Sequence, residues 1–165
     1  MFNPTTLDLV CHGIRGNEGI GQVITSNLTY EQFCAFFNIA DIDAEESEKL
    51  QRDPTALRKR NIFQYLTNRN NTVFPGVTCV ATEVRFESLG IPTLNGVSEL
   101  GTVTIPATAE RMLIDGQGRR LGVEEAIAIK EALKTRTIDF KFISTNTDKL
   151  IEAKGFIRQI FSDFH

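Results

Sequence analysis

The sequence predicts an α/β domain, a mixed sheet with helices packed around it. Three features carry that expectation. Apolar runs of strand length stand at 77–81 and 112–114, with an alternating one at 138–143. Segments with apolar residues at helical spacing occupy roughly 30–37, 53–67 and 119–133. The run Met112-Leu113-Ile114 passes through Asp115-Gly116-Gln117-Gly118 straight into one of these helices, so a strand hands over to a helix through a tight glycine-bearing turn. At 165 residues the chain is sized for one domain with its own core.

Residues 7–14 read as a first strand and 22–25 as a second, joined into a hairpin by Arg15-Gly16-Asn17-Glu18-Gly19-Ile20-Gly21. That glycine spacing does not match a P-loop and no Lys-Ser/Thr follows, so the turn is structural, with Arg15 the one residue in it to test as a ligand contact. Asn27 or Thr29 caps a helix over 30–37, with Glu31 in its first turn; Phe33, Phe36 and Phe37 are core residues. The acidic stretch 41–48 lacks the glycine and terminal glutamate of an EF-hand loop and reads as a solvated helix start. A helix capped by Asp53, with Pro54 in its first turn, runs to about Thr67 and turns Leu57, Ile62, Tyr65 and Leu66 inward.

Beyond a turn at 68–72 and the buried strand at 77–81, residues 86–100 form an ordered loop or a hairpin. A short strand at 102–106 is placed at a sheet edge by Pro106. The 112–114 strand is expected at the centre, followed by a helix whose inner face is Leu121, Ala126, Ile129 and Leu133. Residues 138–143 alternate as a half-exposed strand, and Thr147 or Asp148 caps a last helix through about Ile160.

The corner at 115–120 is the candidate site. A helix start presents unpaired N–H groups and a partial positive charge, and glycines let a ligand come close. Arg119 and Arg120 add cations suited to phosphate. The bland alternative is a plain strand-to-helix turn whose arginines are solvated or paired with Glu124 or Glu125. Asp115 either orients Arg119 or a ligand hydroxyl, or satisfies N–H groups of its own turn; Gln117 divides in the same way between a base edge or sugar and local bonding. Arg58, Lys59 and Arg60 form the densest basic cluster. Helical neighbours fan apart by about 100°, so Arg58, Lys59, Arg60 and Arg69 cannot all share one face, and they divide between balancing the acidic stretch and facing DNA phosphates.

Composition limits the rest. No run of about 18 apolar residues is present, so no membrane span is expected, and no secretory signal is visible. Cys11, Cys34 and Cys79, without a C-x-x-C, point to reduced thiols in a cytoplasmic protein rather than a disulfide frame or zinc site. Cys11 and His12 are strand neighbours on opposite faces and cannot form a dyad, and no catalytic triad or metal set can be assembled. Net charge is −3, so any affinity for nucleic acid has to come from charge distribution.

The segment Ile114-Asp115-Gly116-Gln117-Gly118-Arg119 resembles the D-G-Q-H-R signature of the DGQHR-domain family, whose best-known members are the DndB proteins associated with DNA phosphorothioate modification. Further stretches resemble that family in order: Arg15-Gly16, Gln51-Arg52-Asp53-Pro54 through Arg58-Lys59-Arg60, Ile62-Phe63-Gln64-Tyr65-Leu66-Thr67-Asn68, the strand from Val77, and Phe161-Ser162-Asp163-Phe164. The likeness spans about Ile14 to Phe164, with Gly118 where the family has histidine. It implies a single N-terminal domain without the family's C-terminal region, and a DNA-binding regulator of a phosphorothioation system rather than an enzyme. Partners implied are DNA, other proteins of that system and a second copy of the chain. The corner also resembles the phosphate-contacting turn of ParB-type domains and sulfiredoxins; the alternative it implies is a nucleotide-binding switch or NTP hydrolase, with a nucleotide as the cofactor. Sulfiredoxin chemistry needs a cysteine in this turn, and there is none.

Overall fold

The computed structural model of the chain describes residues 8–37, 56–115 and 117–164. The acidic stretch 41–48, Arg52, the expected cap at Asp53 and the terminal His165 lie outside the described residues. The elements are β1 (Leu9–Asn17), β2 (Gln22–Thr29), α1 (Tyr30–Phe36), α2 (Ala56–Asn68), β3 (Val77–Ala81), β4 (Arg85–Ser88), β5 (Glu99–Ile105), β6 (Arg111–Asp115), α3 (Gln117–Ile129), β7 (Thr137–Ser144) and α4 (Lys154–Asp163). The strands form one sheet in the order β4-β5-β1-β2-β7-β3-β6. β3 and β7 run parallel and the other neighbouring pairs antiparallel, so the predicted mixed sheet is the one found.

The expected first hairpin is present but longer than the sequence suggested. β1 continues through Arg15 and Gly16 to Asn17, which pairs with Gln22. Only residues 18–21 are left to turn, with Gly19 at φ 97° and Gly21 at φ 121°, a region that L side chains rarely enter. Thr29 caps α1: its hydroxyl accepts from the Gln32 N–H at 3.0 Å while the Gln32 side chain accepts from the Thr29 N–H at 2.9 Å. The 86–100 region is a hairpin, β4 against β5.

Two placements differ from expectation. β5 lies between β4 and β1, not at an edge, because Pro106 falls just past its last residue and withholds no ladder N–H. β6 is an edge strand, pairing with β3 alone, rather than central. Its apolar run reflects burial on both faces, which helices can supply at an edge as well as in the middle.

One face of the sheet is covered by α1, α2 and α3. Ile138, Phe140 and Phe142 of β7, Val77 and Cys79 of β3, and Leu28 of β2 pack there against Phe33, Phe37, Leu66, Val123 and Ala126. Phe140 is the hub, stacked on Phe37 at 5.1 Å and on Phe142 at 5.7 Å, and edge-on to Phe33 at 5.2 Å. Such pairs add about 0.5–1.5 kcal/mol each beyond the area they bury. The other face is only half covered. α4 seats Ile157 and Ile160 on Val23, Val80, Met112 and Ile143, while Val10 and Ile14 of β1 stay open to solvent. No helix among the described residues is long and apolar enough to cross a membrane.

The inner face of α3 is shifted from the predicted one. Arg119, Gly122, Val123 and Ala126 face inward and Ile129 is 72% exposed. An arginine and a glycine take inner positions for reasons of contact, which apolar periodicity does not register. At Gly122 a β-carbon would lie 2.6 Å from Ile62 Cγ2 and 2.9 Å from the Lys59 carbonyl oxygen, so this glycine sets how closely α2 and α3 approach. Gly122→Val gains a few tenths of a kcal/mol of helix propensity but overpacks this contact at a cost of about 1–3 kcal/mol. The net loss is expected as a lower urea midpoint with an unchanged slope.

Candidate functional site

The corner itself is tied inward. β6 ends at Asp115, paired with Thr78, and α3 begins at Gln117. Gly116 and the side chains of Asp115, Gln117 and Arg58 lie outside the described residues. Gly118 is buried, and Arg119 is only 8% exposed. The Arg119 guanidinium donates to the Pro75 carbonyl and stands over the Phe74 ring, 5.6 Å from its centre. Arg120 donates through Nε to the Phe37 carbonyl and through Nη2 to the Cys34 carbonyl at 3.0 Å; its Nη1 meets Glu124 at 2.6 Å. Arg111, 2% exposed, donates to the carbonyls of Phe36 and Pro106.

The last carbonyls of a helix have no partner within it. At the end of α1, Arg111 and Arg120 supply those partners from β6 and α3, a cation at the negative end of the helix dipole. Arg119 does the same for the segment entering β3. Both guanidiniums of the corner are therefore occupied by the protein's own carbonyls, an aromatic face and one carboxylate. The Arg120–Glu124 pair was one of the alternatives legible in the sequence; the carbonyl caps were not, because their acceptors lie 83 and 86 residues away in the chain.

The other candidates separate. Lys59 meets Glu125 at 3.1 Å. Arg60 is exposed and, among the described residues, has no ion pair. Arg15 lies 4.4 Å over the Phe86 ring and is paired with Glu99, whose carboxyl it holds below the usual carboxylate range by that hydrogen bond. The Phe86 ring in turn covers Gly101, where any β-carbon would collide with it. Arg15 thus closes a packed sheet edge. Cys11 and His12 do face opposite ways: Cys11 packs against the helical core and accepts from the Ser26 hydroxyl, while His12 is exposed. Among the described residues no three His, Cys, Asp or Glu side chains come together as a metal site.

A basic rim that joins Arg69 to residues distant in the chain forms around the turn 68–72. Arg69 lies over the Tyr65 ring at 5.0 Å and donates to the Asn71 carbonyl. Lys130, from the end of α3, donates to Asn70 Oδ1 at 2.9 Å, and Arg136, just before β7, donates to Thr72 Oγ1 at 3.1 Å. Among the described residues none of the three has a carboxylate partner. Their hydrogen-bond partners are amide oxygens and a hydroxyl, all neutral. Lys130 and Arg136 come to Arg69 from more than 60 residues away, and no local pattern could have joined them.

An α/β domain with uncompensated cations around a polar turn is a fold able to meet a polyanion. A family model described as DndB, DNA-sulfur modification-associated, matches residues 11–164. The chain belongs to the DndB family, which links it to DNA sulfur modification. No curated protein and no solved structure matches it.

Two outcomes follow from the corner. Arg119→Met keeps the side-chain bulk but leaves the Pro75 carbonyl without this donor, so a loss of about 1–3 kcal/mol is expected in chemical denaturation. Burial pushes the Cys34 thiol up to about 11 and raises Cys11 as well. The fold favours the protonated thiol, so this contribution is complete below the usual thiol value near 9 and is lost as pH rises from there towards 11. The urea midpoint should fall over that interval, and fall less in Cys34→Ala.

Proposed function

We propose that the protein is a DNA-binding regulatory component of a DNA sulfur-modification system, holding the duplex by its phosphates. The observation that carries this reading is the rim of Arg69, Lys130 and Arg136, three cations on neutral hydrogen-bonding partners, none of them in an ion pair among the described residues. Phosphate contacts supply affinity and register without sequence choice, and a chain of net charge −3 needs such a local concentration of cations to meet DNA at all.

On this reading Arg119 and Arg120 serve the interface by fixing the start of α3 against the segment entering β3 and the end of α1. Their donors are committed to carbonyls, and drawing them onto a phosphate would strip those carbonyls of partners.

Each phosphate contact removed lowers the slope of log affinity against log salt by about 0.9. Arg69→Ala, Lys130→Ala and Arg136→Ala together should therefore flatten the slope by nearly three and weaken duplex binding at low salt. Fluorescence anisotropy at several salt concentrations measures both, with a thermal melt to verify folding. An unaltered slope in a folded triple variant would exclude the rim from the DNA surface.

A further inference from the structure

We propose that the open half of the sheet is a second binding site, one that takes a nucleobase. A cavity of about 760 Å³ lies there, within the usual range of small-molecule sites. A cross-strand row forms its floor: Leu100, Ile14, Thr25, Lys141 and Thr78, from β5, β1, β2, β7 and β3. His12, Asn27 and Asp139 line it one step along the same strands, and Phe164, just after α4, stands at its border.

The polar groups are unevenly satisfied. Thr78 is 6% exposed, yet its hydroxyl has no hydrogen-bond partner among the described residues. Buried hydroxyls are ordinarily paired, and this one, at a cavity wall, is open to a hydrogen bond from within the cavity. Asn27 Nδ2 donates to Asp139 Oδ1 at 3.0 Å, which leaves the other Asp139 oxygen and the Asn27 carbonyl as acceptors. The His12 imidazole is likewise without a partner among the described residues. Lys141, the one lysine in the lining, is held by Glu18 at 2.8 Å.

That inventory selects the chemistry. With Lys141 neutralised and Asp139 facing only an amide, the cavity has no cationic excess and does not suit a phosphate. Ile14, 45% exposed, and Phe164, 42% exposed, offer apolar surface to a flat ring. Thr78, Asn27 and Asp139 offer a hydroxyl and acceptors to a polar edge. A planar, neutral ring with N–H donors and lone pairs on its rim meets all of these at once. Such a base comes either from a free nucleoside or from DNA with the nucleotide extruded from the stack. The cavity and the basic rim lie at one end of β3 and β7, since Gly76, Thr78 and Asp139 belong to the cavity and Thr72 and Arg136 to the rim. The extruded source rests on the DNA-binding reading; the free source does not.

The test titrates the protein with the fluorescent nucleoside of 2-aminopurine, in a chain that has no tryptophan to interfere. A second arm uses a duplex carrying 2-aminopurine, whose fluorescence rises on unstacking. Saturable binding is expected, weakened about five- to tenfold by Thr78→Val through loss of one hydrogen bond, and weakened also by Phe164→Ala. Thr78→Val should leave the melting temperature unchanged or raised, since it removes a buried hydroxyl without a partner; a hydroxyl of merely structural value would lower it. Response to the nucleoside assigns the free source, and response to the duplex alone assigns the extruded base. Loss of the duplex signal in the triple variant of Arg69, Lys130 and Arg136, with nucleoside binding intact, separates the rim from the cavity. Silence in both arms, or equal affinity in wild type, Thr78→Val and Phe164→Ala, overturns the proposal.

Discussion

Buried guanidiniums bonded to backbone carbonyls are the constraint on which the architecture turns. Arg111, Arg119 and Arg120 sit where α1, the entry to β3 and the start of α3 converge. Each brings a permanent charge out of water, a cost tolerated only when most of its donors are used. The carbonyls they meet belong to a helix end and to connections around Pro75 and Pro106, the places where regular structure leaves acceptors over. Charge and orphan acceptors thus solve each other's problem. Because the three arginines come from β6 and α3, edge strand, helix and α1 become one unit that must form together.

This explains what could and could not be read from the sequence. The strands at 77–81 and 138–143, the α1 cap at Thr29, the hairpin of β1 and β2 and the aromatic core around Phe33 and Phe37 were legible, because period, capping and turn chemistry are local. The fate of Arg119 and Arg120 was not. A charged side chain at a helix start carries the same local signal whether it waits for an anion or reaches across the fold to a carbonyl. The placement of β5 and β6 failed for a related reason: burial fixes how apolar a strand is, not which strand lies beside it.

The basic rim illegible in the sequence follows from that division. Overall charge is slightly negative, and the lysine and arginine positions do not cluster around 69 in the chain. The fold assembles the cluster by bringing the end of α3 and the start of β7 to one polar turn, with Asn70, Asn71 and Thr72 as neutral anchors. Amides and a hydroxyl hold the cations in position without cancelling them, as carboxylates do at Lys59 and Lys134. Screening at physiological salt confines the effect to about 8 Å, so such a rim acts on a polyanion in contact with it and not at a distance.

The two faces of the sheet stand in contrast for physical reasons. The helical face is filled to the level of single atoms: Phe86 over Gly101, Gly122 against Ile62. The opposite face is covered only where α4 reaches, and beyond it threonines, an asparagine, a histidine and scattered aliphatics alternate outward from β1, β2 and β7. An antiparallel sheet can leave one face in water with little penalty when that face is polar. Here it is mixed, with Val10 and Ile14 exposed on β1 and Thr78 buried on β3, three strands along the same face. Solvation alone gives no reason to combine exposed aliphatics with a concealed hydroxyl on one surface. A ligand that is apolar across its plane and polar along its edge does give one, and it makes the incomplete cover of this face a functional property of the fold.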